Sequence, residues 1–235
     1  METLTLKGIK RNGSIEVGRT IINVPHLEGI LTFLHPAIGP GTYNNVMGQV
    51  TKDELLRPTS SQTLSLVDLA YQNRDSPYIK DVADLFIKKY LWSATENLSI
   101  LKNGIIVYDN INGEMPQTSK KLLEMYESKD QRVRLVPYGF KTGSQEVSDF
   151  VRNPYVIAQF GEGQMDLVAR VAERFKLKPW VNAVQNVDRE TKRYTALGSL
   201  WGGGRLCVDG AYHGGDDDGY AFGVRNTGEA SHTQK

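Results

Sequence analysis

The C-terminal third of the chain, residues 180–225, reads WVNAVQNVDRETKRYTALGSLWGGGRLCVDGAYHGGDDDGYAFGVR. Four of its segments have the alternating or β-branched pattern of strands: residues 180–184, 193–200, 205–212 and 220–225. No helical pattern interrupts the run, whereas a regular alternation of strands and helices would indicate a parallel α/β sheet. This stretch therefore predicts a C-terminal antiparallel sheet.

Helical patterns fill the middle of the chain. Residues 58–72 combine cap oxygens with an apolar face, residues 78–92 carry an apolar stripe, and shorter helices are predicted at 118–127, 144–152, 154–160 and 164–175. Residues 98–108 interrupt them with a predicted β-hairpin, because NG at 103–104 is a strong turn signal and the β-branched run IIV follows it.

The N-terminal quarter is predicted to hold a β-hairpin at residues 1–24, a helix at 26–35 and a loop at 37–49. The order of elements indicates an α+β fold with an N-terminal β-hairpin, central helices with a second hairpin, and a C-terminal antiparallel sheet. We expect residues 1–225 to form a single globular domain, with a two-lobe split near 128–131 as the alternative. Residues 226–235 carry no large apolar side chain and are expected to form a flexible tail.

Composition narrows the class of protein. The 235 residues include 28 basic and 27 acidic side chains, for a net charge of +1, so no global field attracts nucleic acid. No apolar run reaches about 18 residues and no signal peptide is visible, which excludes a membrane-spanning helix and a membrane partner. A single cysteine, Cys207, favours a reducing compartment. We expect a soluble, cytoplasmic protein.

The most unusual segment is the acidic loop at residues 213–219. It places the imidazole of His213 and the carboxylates of Asp216, Asp217 and Asp218 within seven residues, shortly after Asp209. Hard cations such as calcium or magnesium prefer these oxygens, so the loop is a candidate site for a divalent metal or another ligand. An EF-hand is excluded, because glycine and arginine would stand where its register requires ligands. The alternative interpretation is a solvated acidic turn, since Asp and Gly form turns readily.

The strands on either side of this loop are predicted to pair as a hairpin with two different faces. Leu206, Val208 and Tyr212 would form an apolar face, whereas Cys207 and Asp209 would lie on a face of small residues. A ligand or another backbone can approach such a face closely.

A second candidate is the connection from the strand at 132–138 to the helix predicted at 144–152. Backbone N–H groups at a helix start can hold an anion, here with Lys141, Thr142 and Ser144 as candidate contacts. The sequence lacks the glycine-rich phosphate loop, so an ordinary connection is the alternative.

Residues 217–225, DDGYAFGVR, resemble the terminal strand of C-type-lectin-like and formylglycine-generating-type domains. The Arg-Gly-Gly-Ser-Trp signature of those families is absent, and Trp201 precedes the glycines instead. The resemblance implies a C-terminal sheet that presents a ligand.

Three functions stay open at this point. The first is a binding or interaction protein with its ligand or partner at the C-terminal sheet, favoured because no strong catalytic motif is present. The second is a metal-assisted hydrolase that uses the acidic loop 213–219. The third is a structural subunit of a homo-oligomer, with the face of small residues as its interface.

Overall fold

The computed structural model describes residues 3–5, 14–16, 21–27, 29–199 and 204–225. The predicted tail at 226–235 and most of the predicted N-terminal turn lie outside these ranges. A two-lobe split near 128–131 would fall in the turn between a helix and a strand, and it stays a prediction.

The described ranges contain thirteen strands and seven α-helices. The strands are β1 (Thr3–Thr5), β2 (Ser14–Glu16), β3 (Ile21–His26), β4 (Gly29–Leu34), β5 (Ile38–Gly41), β6 (Tyr90–Ile100), β7 (Gly104–Asp109), β8 (Val133–Val136), β9 (Gly143–Ser144), β10 (Trp180–Ala183), β11 (Thr191–Gly198), β12 (Cys207–Tyr212) and β13 (Gly219–Ala221). The helices are α1 (Tyr43–Lys52), α2 (Ser60–Gln72), α3 (Pro77–Lys88), α4 (Ser119–Glu127), α5 (Val147–Phe150), α6 (Pro154–Phe160) and α7 (Met165–Ala172). None of the helices described is long and apolar enough to cross a membrane.

Strands β1 to β4 form a four-stranded antiparallel sheet in sequence order. The N-terminal hairpin is thereby confirmed in the pairing of β1 with β2. The helix predicted at 26–35 is wrong, because β3 turns at Leu27, where φ is +50°, and β4 pairs back along it. Apolar residues four apart fit a strand as well as a helix, and here the neighbouring strand satisfies the backbone.

The larger sheet has nine strands, with the order β5-β13-β6-β11-β12-β10-β9 and with β7 and β8 extending from β6. The second predicted hairpin is confirmed, since Leu98 of β6 lies opposite Ile106 of β7. The C-terminal strands join this sheet, but it is mixed, because β10 runs parallel to β12 and β13 runs parallel to β6. The fold is α+β.

Strands β12 and β13 do not form the predicted hairpin, because β11 and β6 lie between them. The acidic loop instead crosses the sheet over its aromatic side chains. Glycine makes this passage possible: a Cβ at Gly214 would lie 2.6 Å from the Tyr194 ring, and one at Gly219 would lie 2.1 Å from Trp92 Nε1.

Three other predicted elements have different bounds. The helix predicted at 78–92 ends at Lys88, and Tyr90 begins the central strand β6, whose eleven residues are all buried. The loop predicted at 37–49 holds β5 and the start of α1. The helix predicted at 144–152 is only the four residues of α5.

Helices cover both faces of the nine-stranded sheet. Side chains of α2, α3, α6 and α7 share one large apolar core with β7, β11, β12 and the smaller sheet. On the opposite face, α1 packs over Tyr90 and Trp92, and α4 packs over Leu98 and Ile106. The aromatic side chains of β6 are therefore on the face that the acidic loop crosses.

Candidate functional site

Trp92, Ala196 and Asp209 lie in line across the face of the larger sheet that α1 covers. Trp92 of β6 lies opposite Ala196 of β11, which lies opposite Asp209 of β12. Residues directly opposite one another project to the same face. Asp209 therefore shares its face with the aromatic side chains of β6.

A bulge in β12 brings Tyr212 to the same face. Tyr194 and Ala196 are two residues apart, but their partners Tyr212 and Asp209 are three apart, so β12 carries one extra residue. The Tyr212 ring stacks on Tyr90 at 5.1 Å between centroids and meets Trp92 edge-on at 5.3 Å. The prediction that Tyr212 joins Leu206 and Val208 is therefore wrong.

The acidic loop runs across these rings from one end to the other. At its start, the carbonyl oxygen of Gly214 accepts a 3.1 Å hydrogen bond from the Tyr43 N–H. At its end, Gly219 pairs with Tyr90 as β13 begins. Asp216 and Asp217 lie between these two points and are exposed.

The Tyr90 hydroxyl lies buried beneath this loop. The residue is 5% exposed, and among the described residues no acceptor lies within hydrogen-bond distance of its hydroxyl proton. Burial raises the pKa of Tyr90 to about 12, with the charge of Asp216 adding to the rise and the nearby Asp218 N–H opposing it. The phenol therefore keeps a proton that no described acceptor receives, which is unfavourable for a buried group.

The charges of Asp209 and Asp216 interact, and both act on the Tyr212 hydroxyl. Burial raises the pKa of Asp209, hydrogen bonds from the Ala211 N–H and Asn182 oppose the rise, and the charge of Asp216 adds to it. Burial, followed by the charge of Asp209, likewise raises the pKa of Tyr212. We call Tyr90, Asp209, Tyr212 and Asp216 the acidic–aromatic corner.

The corner carries more negative charge than its described neighbours neutralise. Asp218, the next-but-one residue, is paired with Lys89 at 3.0 Å between Nζ and Oδ2. Within the described part of the chain, neither Asp209 nor Asp216 has an ion pair with Lys, Arg or His. Unpaired carboxylates next to a buried phenol favour the binding of a cation.

The structure unites only part of the predicted metal-ligand set. Asp209 and Asp216 both act on Tyr212, whereas His213, Asp216 and Asp217 are exposed and Asp218 forms an ion pair with Lys89. The ranges described contain no group of three His, Cys, Asp or Glu residues that could hold a metal ion. Calcium or magnesium binding by the loop stays a prediction.

The predicted anion contacts are not gathered at a helix start. Lys141 and Thr142 are exposed, and the Lys141 Nζ lies 4.0 Å from Asp149 Oδ2. Ser144 belongs to β9 and its hydroxyl accepts a 3.1 Å hydrogen bond from Arg205. The short helix α5 begins only at Val147. Anion binding at these residues also stays a prediction.

Glu96 and Tyr90 are the residues that the sequence analysis missed. Glu96 is 1% exposed in β6 and accepts a hydrogen bond from Tyr43, whose ring packs edge-on against Trp92. The signal was present in residues 90–100, YLWSATENLSI, where aromatic and apolar side chains alternate with small polar ones as in a strand. Residues 90–92 were instead assigned to the helix predicted at 78–92, so the strand pattern was not recognised.

The raised pKa of Asp209 predicts a pH effect on stability. The folded protein holds this proton more tightly than the unfolded chain, whose Asp pKa is about 3.9. The contribution of Asp209 to stability is therefore present below that value and is lost as the pH rises through the folded-state pKa. Because Asp209→Asn removes this titration, the free energy of unfolding of the variant relative to wild type should increase as the pH is raised from about 3.9 toward neutrality. Urea denaturation across that range measures it, and a constant difference would contradict the assignment.

No family model matches the chain, and no curated protein or solved structure matches it. The fold and the corner define an α+β protein with an acidic, aromatic site on its larger sheet. Its function is therefore inferred from the chemistry of this site.

Proposed function

We propose that this chain is a binding protein that holds a positively charged group of its ligand or partner at the acidic–aromatic corner. One observation carries the proposal: the exposed Asp216 carboxylate has no described cationic partner and belongs to a loop that lies against the rings of Tyr90, Trp92 and Tyr194. A cation at this point would neutralise the Asp216 carboxylate.

The surroundings of the corner support binding rather than a passive turn. An acidic turn in water needs no buried partner, but this loop lies on the rings of Tyr90, Trp92 and Tyr194. Glycines at both ends permit that contact. Aromatic faces attract cations electrostatically, and the effect is larger where water is displaced.

Metal-assisted hydrolysis at the loop 213–219 and self-association through the C-terminal sheet are the two alternatives. Asp209 and Asp216 could each supply oxygen ligands to a metal ion, so the unfolding experiment includes divalent metals. Light scattering tests self-association, for which a monomer at high concentration would be the contrary result.

A thermal-unfolding panel tests the proposal. Wild type, Asp216→Asn and Asp188→Asn are compared with calcium, magnesium, manganese, zinc, putrescine and an arginine ester at constant ionic strength. Asp188 is an exposed aspartate on the loop between β10 and β11 and serves as the matched control. Saturation at about 100 times Kd stabilises by about 2.7 kcal/mol, which corresponds to roughly 5–10 °C for a chain of this size.

We expect at least one cation to raise the melting temperature of wild type and Asp188→Asn but not of Asp216→Asn. If no cation does so, or if Asp216→Asn responds like wild type, the corner is not a binding site.

A further inference from the structure

A small polar cavity lies between the end of β3, helix α2 and the start of α7, and it shares no residue with the acidic–aromatic corner. Its volume is about 30 Å³, which is room for about two water-sized groups. Polar side chains line much of it, among them His26, Ser65, Asp68 and Gln164. Polar groups that converge on one cavity are typical of a binding or catalytic site.

Ser65 and His26 form a direct hydrogen bond at the wall of this cavity. Ser65 is in the middle of α2, and His26 ends β3. The Ser65 Oγ lies 2.9 Å from His26 Nδ1 and 3.3 Å from the Ser61 carbonyl oxygen, so the imidazole is the nearer acceptor of the hydroxyl proton. Burial lowers the pKa of His26, which leaves the ring uncharged at neutral pH and able to accept that proton. A serine hydroxyl beside a neutral imidazole is the pair that activates a nucleophile.

Gln164 supplies a third group to the cavity. It is 7% exposed, and its side-chain amide forms no hydrogen bond to the residues that the structure describes. A buried amide without a partner is unfavourable, and its N–H groups can donate to an oxyanion that forms in the cavity. The Asp68 carboxylate does not oppose that charge, because Arg170 at 2.8 Å and Arg174 at 3.1 Å balance it.

We infer that this cavity is an acyl-transfer site, in which Ser65 takes a short acyl group from an ester and passes it to water. The volume of the cavity fits an acetyl group but not a long acyl chain. Leu27 lines the cavity and is 71% exposed, so it offers an apolar surface to the leaving alcohol. The inference goes beyond the proposed cation binding and does not depend on it.

The reaction has two halves, and His26 carries the proton in both. Ser65 Oγ bonds to the ester carbonyl carbon as its proton moves to His26 Nδ1, and the carbonyl oxygen becomes an oxyanion that accepts from Gln164. The bond to the alcohol oxygen then breaks, and that oxygen leaves with the proton from His26. Water next attacks the acyl carbon on Ser65 and gives a proton to His26 Nδ1. When the bond between Ser65 Oγ and the acyl group breaks, Oγ recovers this proton and a carboxylic acid is released.

Hydrolysis of p-nitrophenyl acetate tests the inference with wild type, Ser65→Ala, His26→Gln and Ser61→Ala. Ser61 lies one turn earlier on α2, outside the cavity lining, and is the matched control. We expect Ser65→Ala and His26→Gln to lower kcat/KM about 100-fold or more and Ser61→Ala to leave it unchanged. The octanoate ester should react more slowly than the acetate, because its acyl chain exceeds the cavity.

Two further readouts separate catalysis from a structural role. The rate of wild type should rise with pH and level off, with a midpoint below about pH 6.5, because only uncharged His26 accepts the proton and burial lowers its pKa. A fluorophosphonate probe, located by peptide mass spectrometry, should label Ser65 in wild type and Ser61→Ala and far less in His26→Gln. Thermal unfolding checks that each variant is folded, since the loss of one hydrogen bond costs only about 1 kcal/mol.

Turnover and labelling that require both Ser65 and His26 support the inference. Turnover that persists in Ser65→Ala, or a probe adduct only on other residues, overturns it, because surface nucleophiles then account for the ester cleavage. Labelling of Ser65 that His26→Gln does not reduce contradicts activation by the imidazole. Absence of both turnover and labelling in folded wild type shows that Ser65 is not a nucleophile.

Discussion

Glu96→Ala is expected to lower the free energy of unfolding by about 3–5 kcal/mol, because it removes a buried carboxylate on which four donors converge. Oε1 accepts hydrogen bonds from the Tyr43 hydroxyl at 2.8 Å and from Asn110 at 2.9 Å. Oε2 accepts from the Tyr108 hydroxyl at 2.7 Å and lies 2.8 Å from Lys192 Nζ. Tyr43 and Asn110 would be left without this acceptor, whereas Tyr108 and Lys192 would keep only their second acceptor, Gln117 Oε1.

The burial of this network explains the size of the expected loss. Glu96 is 1% exposed, Tyr43 is 2% exposed and Tyr108 is fully buried. Burial, followed by the charge of Glu96, raises the pKa of both tyrosines, so both remain hydrogen-bond donors at neutral pH. Buried donors that lose their acceptor are not rehydrated and carry the full desolvation cost.

Urea denaturation of wild type, Glu96→Ala and Glu96→Gln measures the effect. The glutamine variant keeps one oxygen and should lose less, about 1–3 kcal/mol. Glu114→Ala, at an exposed position, is the control and should change stability by less than about 0.5 kcal/mol. A loss below about 1 kcal/mol for Glu96→Ala would mean that the network does not support the fold.

Gly210→Ala is expected to cost about 3 kcal/mol, at the upper end of the usual range for overpacking. A Cβ at this position would lie 1.6 Å from the Tyr155 hydroxyl and 2.9 Å from Asn97 Nδ2. Tyr155 cannot yield easily, because it is fully buried, its ring stacks on Phe140 at 5.0 Å, and its hydroxyl donates to Asn97 Oδ1 at 3.0 Å.

Because the added Cβ at Gly210 clashes with the Tyr155 hydroxyl, removal of that hydroxyl should restore part of the lost stability. In the double variant Gly210→Ala/Tyr155→Phe the clashing oxygen is absent, so the combined loss should be smaller than the sum of the two single losses. Gly215→Ala is the matched glycine control, since nothing lies within 4 Å of its added Cβ. Additive losses, or equal losses at the two glycines, would contradict the steric explanation. Denaturant midpoints of the four variants supply the comparison.

Local signals allowed part of the fold to be predicted. The start of α2 is set by Thr59, whose side chain accepts from the Gln62 N–H while the Gln62 side chain accepts from the Thr59 N–H. The turn between β6 and β7 follows from the Asn-Gly pair. In both cases the groups that decide the structure are neighbours in sequence.

Long-range pairing accounts for most of the errors. Residues 90–100 become a central strand through partners as distant as Gly219, which pairs with Tyr90. Similarly, β13 pairs with β5 and β6 rather than with the adjacent strand β12. Periodicity within a short window carries no information about such partners.

The sequence predicted the acidic residues of the candidate site but not its aromatic residues. The acidic residues of the loop could be identified because they are consecutive. The aromatic half required two features of the fold: the crossing of the loop over β6 and the bulge that turns Tyr212 toward Tyr90. A single extra residue in a strand reverses the facing of every side chain beyond it.

The most direct test of the corner is a titration of ¹⁵N-labelled protein with putrescine, followed by two-dimensional NMR. We predict saturable shifts of backbone amides in residues 209–219 and at Tyr90, which disappear in Asp216→Asn and persist in Asp188→Asn. Shifts that are absent from residues 209–219, or that spread without saturation over exposed acidic residues such as Glu114 and Asp149, would contradict cation binding at the acidic–aromatic corner.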